Sequence, residues 1–436
     1  MAVCIQFDIL IENNMKRKYF IQLSLVFFVV GASFRINAQI TGPQGGLVVI
    51  GKVDTIFSET LGEDREIWVS VPQSGRVPGK KFPVMYLLDG DAHFYSMMGT
   101  LHQLSSVNGN TICPEMILVG IINTDRTRDL TPTHEKEAFG DSAEMRSSGG
   151  LDKFTTFMEK ELMPYIQSTY PVSSYKTYVG HSLGGLAVIH TLLTRPALFN
   201  SYIAIDPSLW WDNALINSML DSLDHPTKYD HASLFVGMAN TLPEGMTIYT
   251  VPRDTTKATE HQRAIMEFCR DVDSHKEEPG YKFKWKYYEL EDHSTVPMRA
   301  EFDGLRYLFS WYTLDHHKID KFMEPGSTLT VKQFEDLIIG HYANVSDKFG
   351  YKVLPDETMM NSLGYQFLET ERKDLAFACF DMNIKNFPKS GNVYDSMGDY
   401  YVAIGNEKKA IDFFSKAVDV ENLSYSKEKL EALKKK

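Results

Sequence analysis

Cysteine is scarce in this sequence. Only Cys4, Cys113, Cys269 and Cys379 occur, far apart and with no C-x-x-C spacing. That excludes a disulfide framework and a cysteine-based structural zinc site, and buried free thiols are expected. Basic charge is in deficit, with 45 Lys and Arg against 57 Asp and Glu, a formal net charge of −12. Non-specific nucleic-acid binding and a polybasic membrane surface both need clustered Lys and Arg, so neither is expected. Long hydrophobic runs are absent beyond a single N-terminal segment, which excludes a transmembrane bundle. What is present is globular in type: 43% hydrophobic and 23% charged residues. A chain of 436 residues suits two or three domains with cores that need no staples.

The N-terminal segment reads as a secretory signal. Met15-Lys16-Arg17-Lys18 is a basic cluster, Tyr19 to Phe34 is apolar apart from Gln22, Ser24 and Ser33, and Arg35-Ile36-Asn37-Ala38-Gln39 follows. An uncleaved N-terminal anchor is the alternative, against which the run is short for a full membrane span. No Cys follows it closely, so no lipid attachment is expected. Met15 is the expected start. Residues 1–38 are thus assigned to an N-terminal extension and signal, and the mature protein to the periplasm or the exterior, with no membrane contact beyond the signal.

Strand and helix patterns then alternate. Strands are expected at Leu47 to Ile50, Glu66 to Val71, Val84 to Leu88, Met116 to Ile122, Lys176 to Gly180, Tyr202 to Ile205, Ser233 to Met238 and Phe283 to Leu290. Helices are expected over Leu151 to Ser168, Leu183 to Thr194, His261 to Ser274 and Glu301 to Tyr312. Short all-apolar strands alternating with helices predict an α/β domain with a mostly parallel sheet, over 39–315. Residues 316–356 are expected as a helical linker. Residues 357–436 carry an internal repeat: Gly364 and Gly398, Ala376 and Ala410, and Phe380 and Phe414 are each 34 apart. That period resembles the tetratricopeptide repeat, whose stacked hairpins offer a surface for a protein partner. A plain helical bundle is the alternative.

The strongest chemical signal is Gly180-His181-Ser182-Leu183-Gly184, a G-x-S-x-G sequence between an expected strand and an expected helix. That setting holds a serine in a tight turn where side chains at the glycines would collide, and it marks Ser182 as a nucleophile. A serine hydroxyl needs a base. His293, after the last expected strand, is assigned that role. His181 is assigned a structural role within the turn. His134, His225, His231, His261 and His275 are assigned to surface or packing. No histidine pair has metal-ligand spacing, so neither a metal nor a cofactor is expected. The orienting acid is sought after the strand Ser233 to Met238, where Glu244 fits; Asp254, Glu260 and a Ser–His dyad stay open. The oxyanion donors are expected to be the backbone N–H groups of Leu183 and of Asp91, after the tight turn at Gly90.

Leu88-Asp89-Gly90-Asp91, the glycine turn around Ser182 and Asp292-His293-Ser294 together resemble the putative-esterase family of α/β hydrolases. That family includes esterase D, the enterochelin and salmochelin esterases, feruloyl-type esterases and the mycolyltransferases. Asn123 to Pro132 and Asp206-Pro207-Ser208-Leu209-Trp210-Trp211 are similar to the siderophore-esterase branch. The resemblance spans about residues 47 to 312. It implies an α/β-hydrolase fold and serine ester hydrolysis through an acyl-enzyme, on siderophore-lactone or on acyl- or feruloyl-sugar esters. In the mycolyltransferase branch a glutamate follows the same strand as Glu244, whereas some siderophore esterases work as dyads. Arg126 and Arg128 could hold an anionic substrate group, or pair with Asp125 and Asp129. Trp210 and Trp211 could wall the substrate, or pack in the core. His93 lies near the oxyanion region and could touch substrate. A reading of another class is an inactive hydrolase scaffold that binds partners through its repeats.

Overall fold

A computed structural model describes residues 48–76, 80–136, 145–221, 232–274 and 282–435. The signal segment, Cys4, His225, His231 and His275 lie outside the described residues.

Among the described residues eight strands form one sheet in the order β1-β2-β4-β3-β5-β6-β7-β8. They are β1 (Lys52–Ser58), β2 (Glu63–Ser70), β3 (Phe82–Leu87), β4 (Ile117–Ile121), β5 (Val172–His181), β6 (Ser201–Ile205), β7 (Ser233–Ala239) and β8 (Lys282–Tyr288). β1, β2 and β4 pair antiparallel, and every other pairing is parallel. The central strands β3, β4, β6 and β7 are buried along their whole length, which requires cover on both faces. Their alternate side chains divide between two cores. Val84, Tyr86, Tyr178, Tyr202 and Leu234 face one, while Met85, Leu87, Val179, Ile203 and Phe235 face the other.

The first core is covered by α3 (Leu151–Phe157), a π-helical turn at Met158–Leu162, α4 (Met163–Thr169) and α5 (Leu183–Thr194). α2 (Arg126–Leu130), α6 (Trp211–Asp221) and α7 (Glu260–Asp273) join this side. The second core is covered by α1 (Gly90–Ser105) and α8 (Val296–Leu308). Helices α1 and α6 were not among the expected helices, although Phe94, Met97, Leu101 and Leu104 recur at helical spacing along α1 and are buried in the second core. Of the strand expected at Leu47 to Ile50, Leu47 lies outside the described residues, Val48 to Ile50 have no regular structure, and the edge strand begins at Lys52. Its alternation is there, but Val53 and Phe57 point outward while Asp54 and Ser58 are buried, which hides it from an apolar-in reading.

After α8 the chain is helical: α9 (His316–Met323), α10 (Val331–Phe349), α11 (Glu357–Glu369), α12 (Lys373–Asn386), α13 (Gly391–Ala403), α14 (Glu407–Glu421) and α15 (Ser424–Lys434). The expected repeat has a packing counterpart. A Cβ on Gly364 would fall 2.5 Å from the Phe380 ring, and one on Gly398 2.5 Å from the Phe414 ring. Each glycine therefore lets an aromatic ring of the next helix seat against its backbone. The stretch 316–356 does more than link. α10 sends Phe334 and Ile338 into the helical core and Val345 and Phe349 into the second α/β core. Residues Ile50–Lys436 form one compact unit. Among the described residues no helix is long and apolar enough to cross a membrane. Cys113, Cys269 and Cys379 are free and buried.

Candidate active site

The site lies where the parallel strands end at their carboxyl edge, the usual place for chemistry in an open α/β sheet. β5 stops at His181 and α5 starts at Leu183, leaving Ser182 alone in the turn with φ 60° and ψ −117°. This backbone is costly for a serine and survives only because its surroundings enforce it. Ser182 N–H donates to Ile205 O at 2.9 Å, and Ser182 O accepts from Ser208 N–H and Leu186 N–H, both at 3.0 Å. Gly180 is required: a Cβ there would sit 2.4 Å from the Gly184 backbone. The Ser182 hydroxyl lies 3.3 Å from the Ser208 hydroxyl.

His293 stands between β8 and α8. Its ring lies 4.4 Å from that of His181, the residue before Ser182. Its Nδ1 is 2.6 Å from Asp206 Oδ2. Asp206 therefore fills the position expected of Glu244. Glu244 is exposed on the loop beyond β7, while Asp206 directly follows β6. Asp254 is also engaged elsewhere, with the Thr256 and Thr259 hydroxyls. Asp206 is fully buried. Its Oδ1 accepts from Ala239 N–H at 2.9 Å, and its own N–H donates to Gly237 O at 2.7 Å. Burial alone would raise its carboxyl, but the bonds from His261 and His293 and from the Ala239 backbone hold it well below the usual carboxylate range. The signal for it was in the sequence: an Asp-Pro pair closing an all-apolar strand, where a carboxylate must be buried and therefore partnered.

His261 corrects a second expectation. Assigned to surface or packing, it opens α7 and brings Nε2 to 3.0 Å from Asp206 Oδ2. Its Nδ1 is buried without a partner. Two imidazoles thus converge on one carboxylate oxygen, and the three donor atoms lie within 4.8 Å of one another. Sequence spacing could not reveal this set, because its members follow β6, β7 and β8. The set is of the type that could hold a metal ion.

His181 is packed between His93, at 5.4 Å, and His293. Burial, then the neighbouring His293 and His93, push it down to about 3, so it stays neutral. Asp91 and Leu183 stand in the first turns of α1 and α5. N–H groups there have no acceptor within the helix and are available to a developing anion.

The arginines are committed to the protein. Arg126 donates Nε and Nη2 to the two Asp89 oxygens at 2.7 and 2.9 Å, and Nη2 also reaches His181 O at 3.3 Å. It thereby ties the turn before α1 to the turn before α5. Arg128 pairs with Glu63 at 2.6 and 3.0 Å and with Asp129 at 2.7 Å. The Arg128 bond and, behind it, Arg65 draw Glu63 down to about 2 against its burial. These pairs replace the expected anion clamp, because each guanidinium already has carboxylates in reach. Trp211 is fully buried and donates Nε1–H to Thr133 Oγ1 at 3.0 Å, so core packing is its role. Trp210 is half-buried at the edge of the first core.

Comparison with known proteins gives the family. The model of the family described as putative esterase matches residues 58–293, more than half of the chain. A siderophore enterobactin esterase from Emericella nidulans is 29% identical over 262 residues, covering 54% of this chain and 85% of the relative. The ferri-bacillibactin esterase BesA from Bacillus subtilis is 32% identical over 205 residues, 43% of this chain and 68% of that one. The crystal structure of an IroE-like serine hydrolase from Shewanella oneidensis superposes with a TM-score of 0.60 at 28% identity, covering 76% of this chain and 98% of its own. The fold, the strand-edge site and these matches together place the chain in the putative esterase family of α/β hydrolases.

Proposed function

We propose that the protein is an exported serine esterase that hydrolyses siderophore-class esters through an acyl-enzyme. The observation that carries the reading is the Asp206–His293 bond, with the His293 ring 4.4 Å from that of His181, the residue before Ser182 in its strained turn. Asp206 holds the His293 Nδ1 proton, which leaves Nε2 free to accept the Ser182 proton as Oγ attacks the ester carbonyl. The carbonyl oxygen, now negative, takes N–H bonds from Leu183 and Asp91. Imidazolium then gives its proton to the leaving alkoxide. Water, deprotonated by the same nitrogen, releases the acyl group and restores the serine.

The substrate class rests on the siderophore esterases among the relatives, two of which are described above. Export rests on the basic and apolar segment from Met15 to Phe34. The paired helical hairpins beyond 357 are proposed to serve, as tetratricopeptide-like repeats, for docking a protein partner. Hydrolysis of enterobactin, a feruloyl ester and a short acyl ester by the same preparation tests the reading. Turnover should be fastest on enterobactin and should fall at least ~10³-fold in kcat in a folded Ser182→Ala variant. Unchanged turnover in that variant would remove the proposal.

A further inference from the structure

We infer that Asp206, His261 and His293 form a site for a divalent transition-metal ion of the Zn2+ class, and that its occupation switches the hydrolase off. The inference rests on the reading of His293 as the base. Two imidazole nitrogens and one carboxylate oxygen are the donor types that suit Zn2+ and Co2+. Here they already point at a common centre: both N–H groups are aimed at Asp206 Oδ2, from 2.6 and 3.0 Å. One metal ion can take the place of those two protons.

The fixed and movable parts are well divided. Asp206 is anchored by Ala239 N–H on its other oxygen and by its own N–H on Gly237. The two histidines are the adjustable parts. The His293 side chain is 40% exposed and that of His261 19% exposed, so an ion reaches them from solvent. Metal bonds of about 2.0–2.2 Å set ligand atoms somewhat further apart than these hydrogen bonds do. Small rotations of the two rings supply the difference. A water fills the fourth position.

The consequence for catalysis follows from the proton positions. Each neutral imidazole keeps one proton and moves it to the nitrogen away from the metal. For His293 that nitrogen is Nε2. A protonated Nε2 cannot accept the Ser182 proton, and Asp206 can no longer hold Nδ1–H. Bound metal and a working base are therefore mutually exclusive at this residue.

Calorimetric titration of Zn2+ into the metal-free full chain and into its Ser182→Ala variant tests the site without reference to turnover. One Zn2+ per chain is expected in both. His261→Phe, and His261→Asn as a second variant should the first fail to fold, should raise the half-saturating concentration at least about tenfold. In the active chain, Zn2+ should abolish ester hydrolysis and a chelator should restore it, each variant being read against its own metal-free rate. Absence of saturable binding overturns the inference. So does equal binding in the His261 variants, which would place the ion on His93 and His181 instead. Ester hydrolysis that is untouched by bound Zn2+ overturns the switch. A metal-free chain that binds Zn2+ as expected but hydrolyses no ester fails the esterase reading and not the metal site.

Discussion

Asp206 serves two histidines with one oxygen, and its burial makes that service expensive to remove. Neutralising it leaves His293 Nδ1 facing an amide that can offer either an oxygen or an NH2 group, so the imidazole tautomer is no longer fixed. Asp206→Asn should lower kcat by roughly 10³–10⁴-fold, as loss of the orienting carboxylate does in serine hydrolases. Glu244→Gln should stay within about twofold of wild type, because the side chain is exposed on its loop and another residue already bonds His293. Steady-state kinetics on one ester decides between them, and a large Glu244→Gln defect with an active Asp206→Asn would reverse the assignment. The placing of Ser182 and His293 at the strand edge was legible in sequence because local grammar marks it: a glycine turn between strand and helix, and a histidine after the last strand. Asp206 showed only as an Asp-Pro pair closing an apolar strand; that this acid, and not one after β7, meets His293 is a matter of sheet order. That order places β6 beside β5 and puts the end of β6 within reach of His293.

At the scale of elements, α1 and α8 matter because each begins at the site, α1 with the turn proposed to donate to the oxyanion and α8 just after His293. They meet at a buried carboxyl. Ser96 Oγ on α1 donates to Glu301 Oε1 on α8 at 3.2 Å, and Glu301 Oε2 is buried without a partner. Burial pushes Glu301 up to about 8, with the Ser96 bond opposing. The folded chain then holds a proton that the unfolded chain releases near pH 4.5. Folded binds more protons than unfolded between those two values, so stability falls as pH rises across that window and levels off above it. The slope is about 1.4 kcal/mol per pH unit. Glu301→Gln keeps an acceptor for Ser96 and cannot ionise. It should remove this slope and be the more stable protein at pH 8. Urea unfolding at pH 5, 6.5 and 8 reads both effects, and parallel slopes for the two proteins would show that Glu301 is not held neutral. Sequence offers no hint of this contact, because Glu301 reads as an exposed acid and its partner lies 205 residues away.

At the scale of the whole molecule, all proposed catalytic groups precede residue 300, and a hydrolase that closes by residue 315 was the natural reading of a repeat that starts near 357. The packing argues otherwise. Phe349, at the end of α10, lies 5.2 Å from the Tyr175 ring and 5.1 Å from the Trp311 ring, and its carbonyl accepts from Ser174 Oγ at 3.3 Å. Tyr175 and Ser174 belong to β5, the strand that ends at the nucleophile. On the other side, Ile319 and Phe322 of α9 are buried with the helical hairpins and not with the sheet. A chain cut near 320 therefore loses the ring that closes the second core and exposes the apolar face of α9. Phe349→Ala in the full chain should cost about 3–5 kcal/mol. Phe377→Ala, at a position 38% exposed on α12, should cost much less. The truncated chain should be insoluble, or should melt well below the full chain and lose ester turnover at the same temperature as its fold. Melting followed by circular dichroism and by residual activity tests this. A truncated chain that melts with the full-length protein and keeps its kcat/KM would show that α10 only rests on the hydrolase, and that the helical tail is a separate unit.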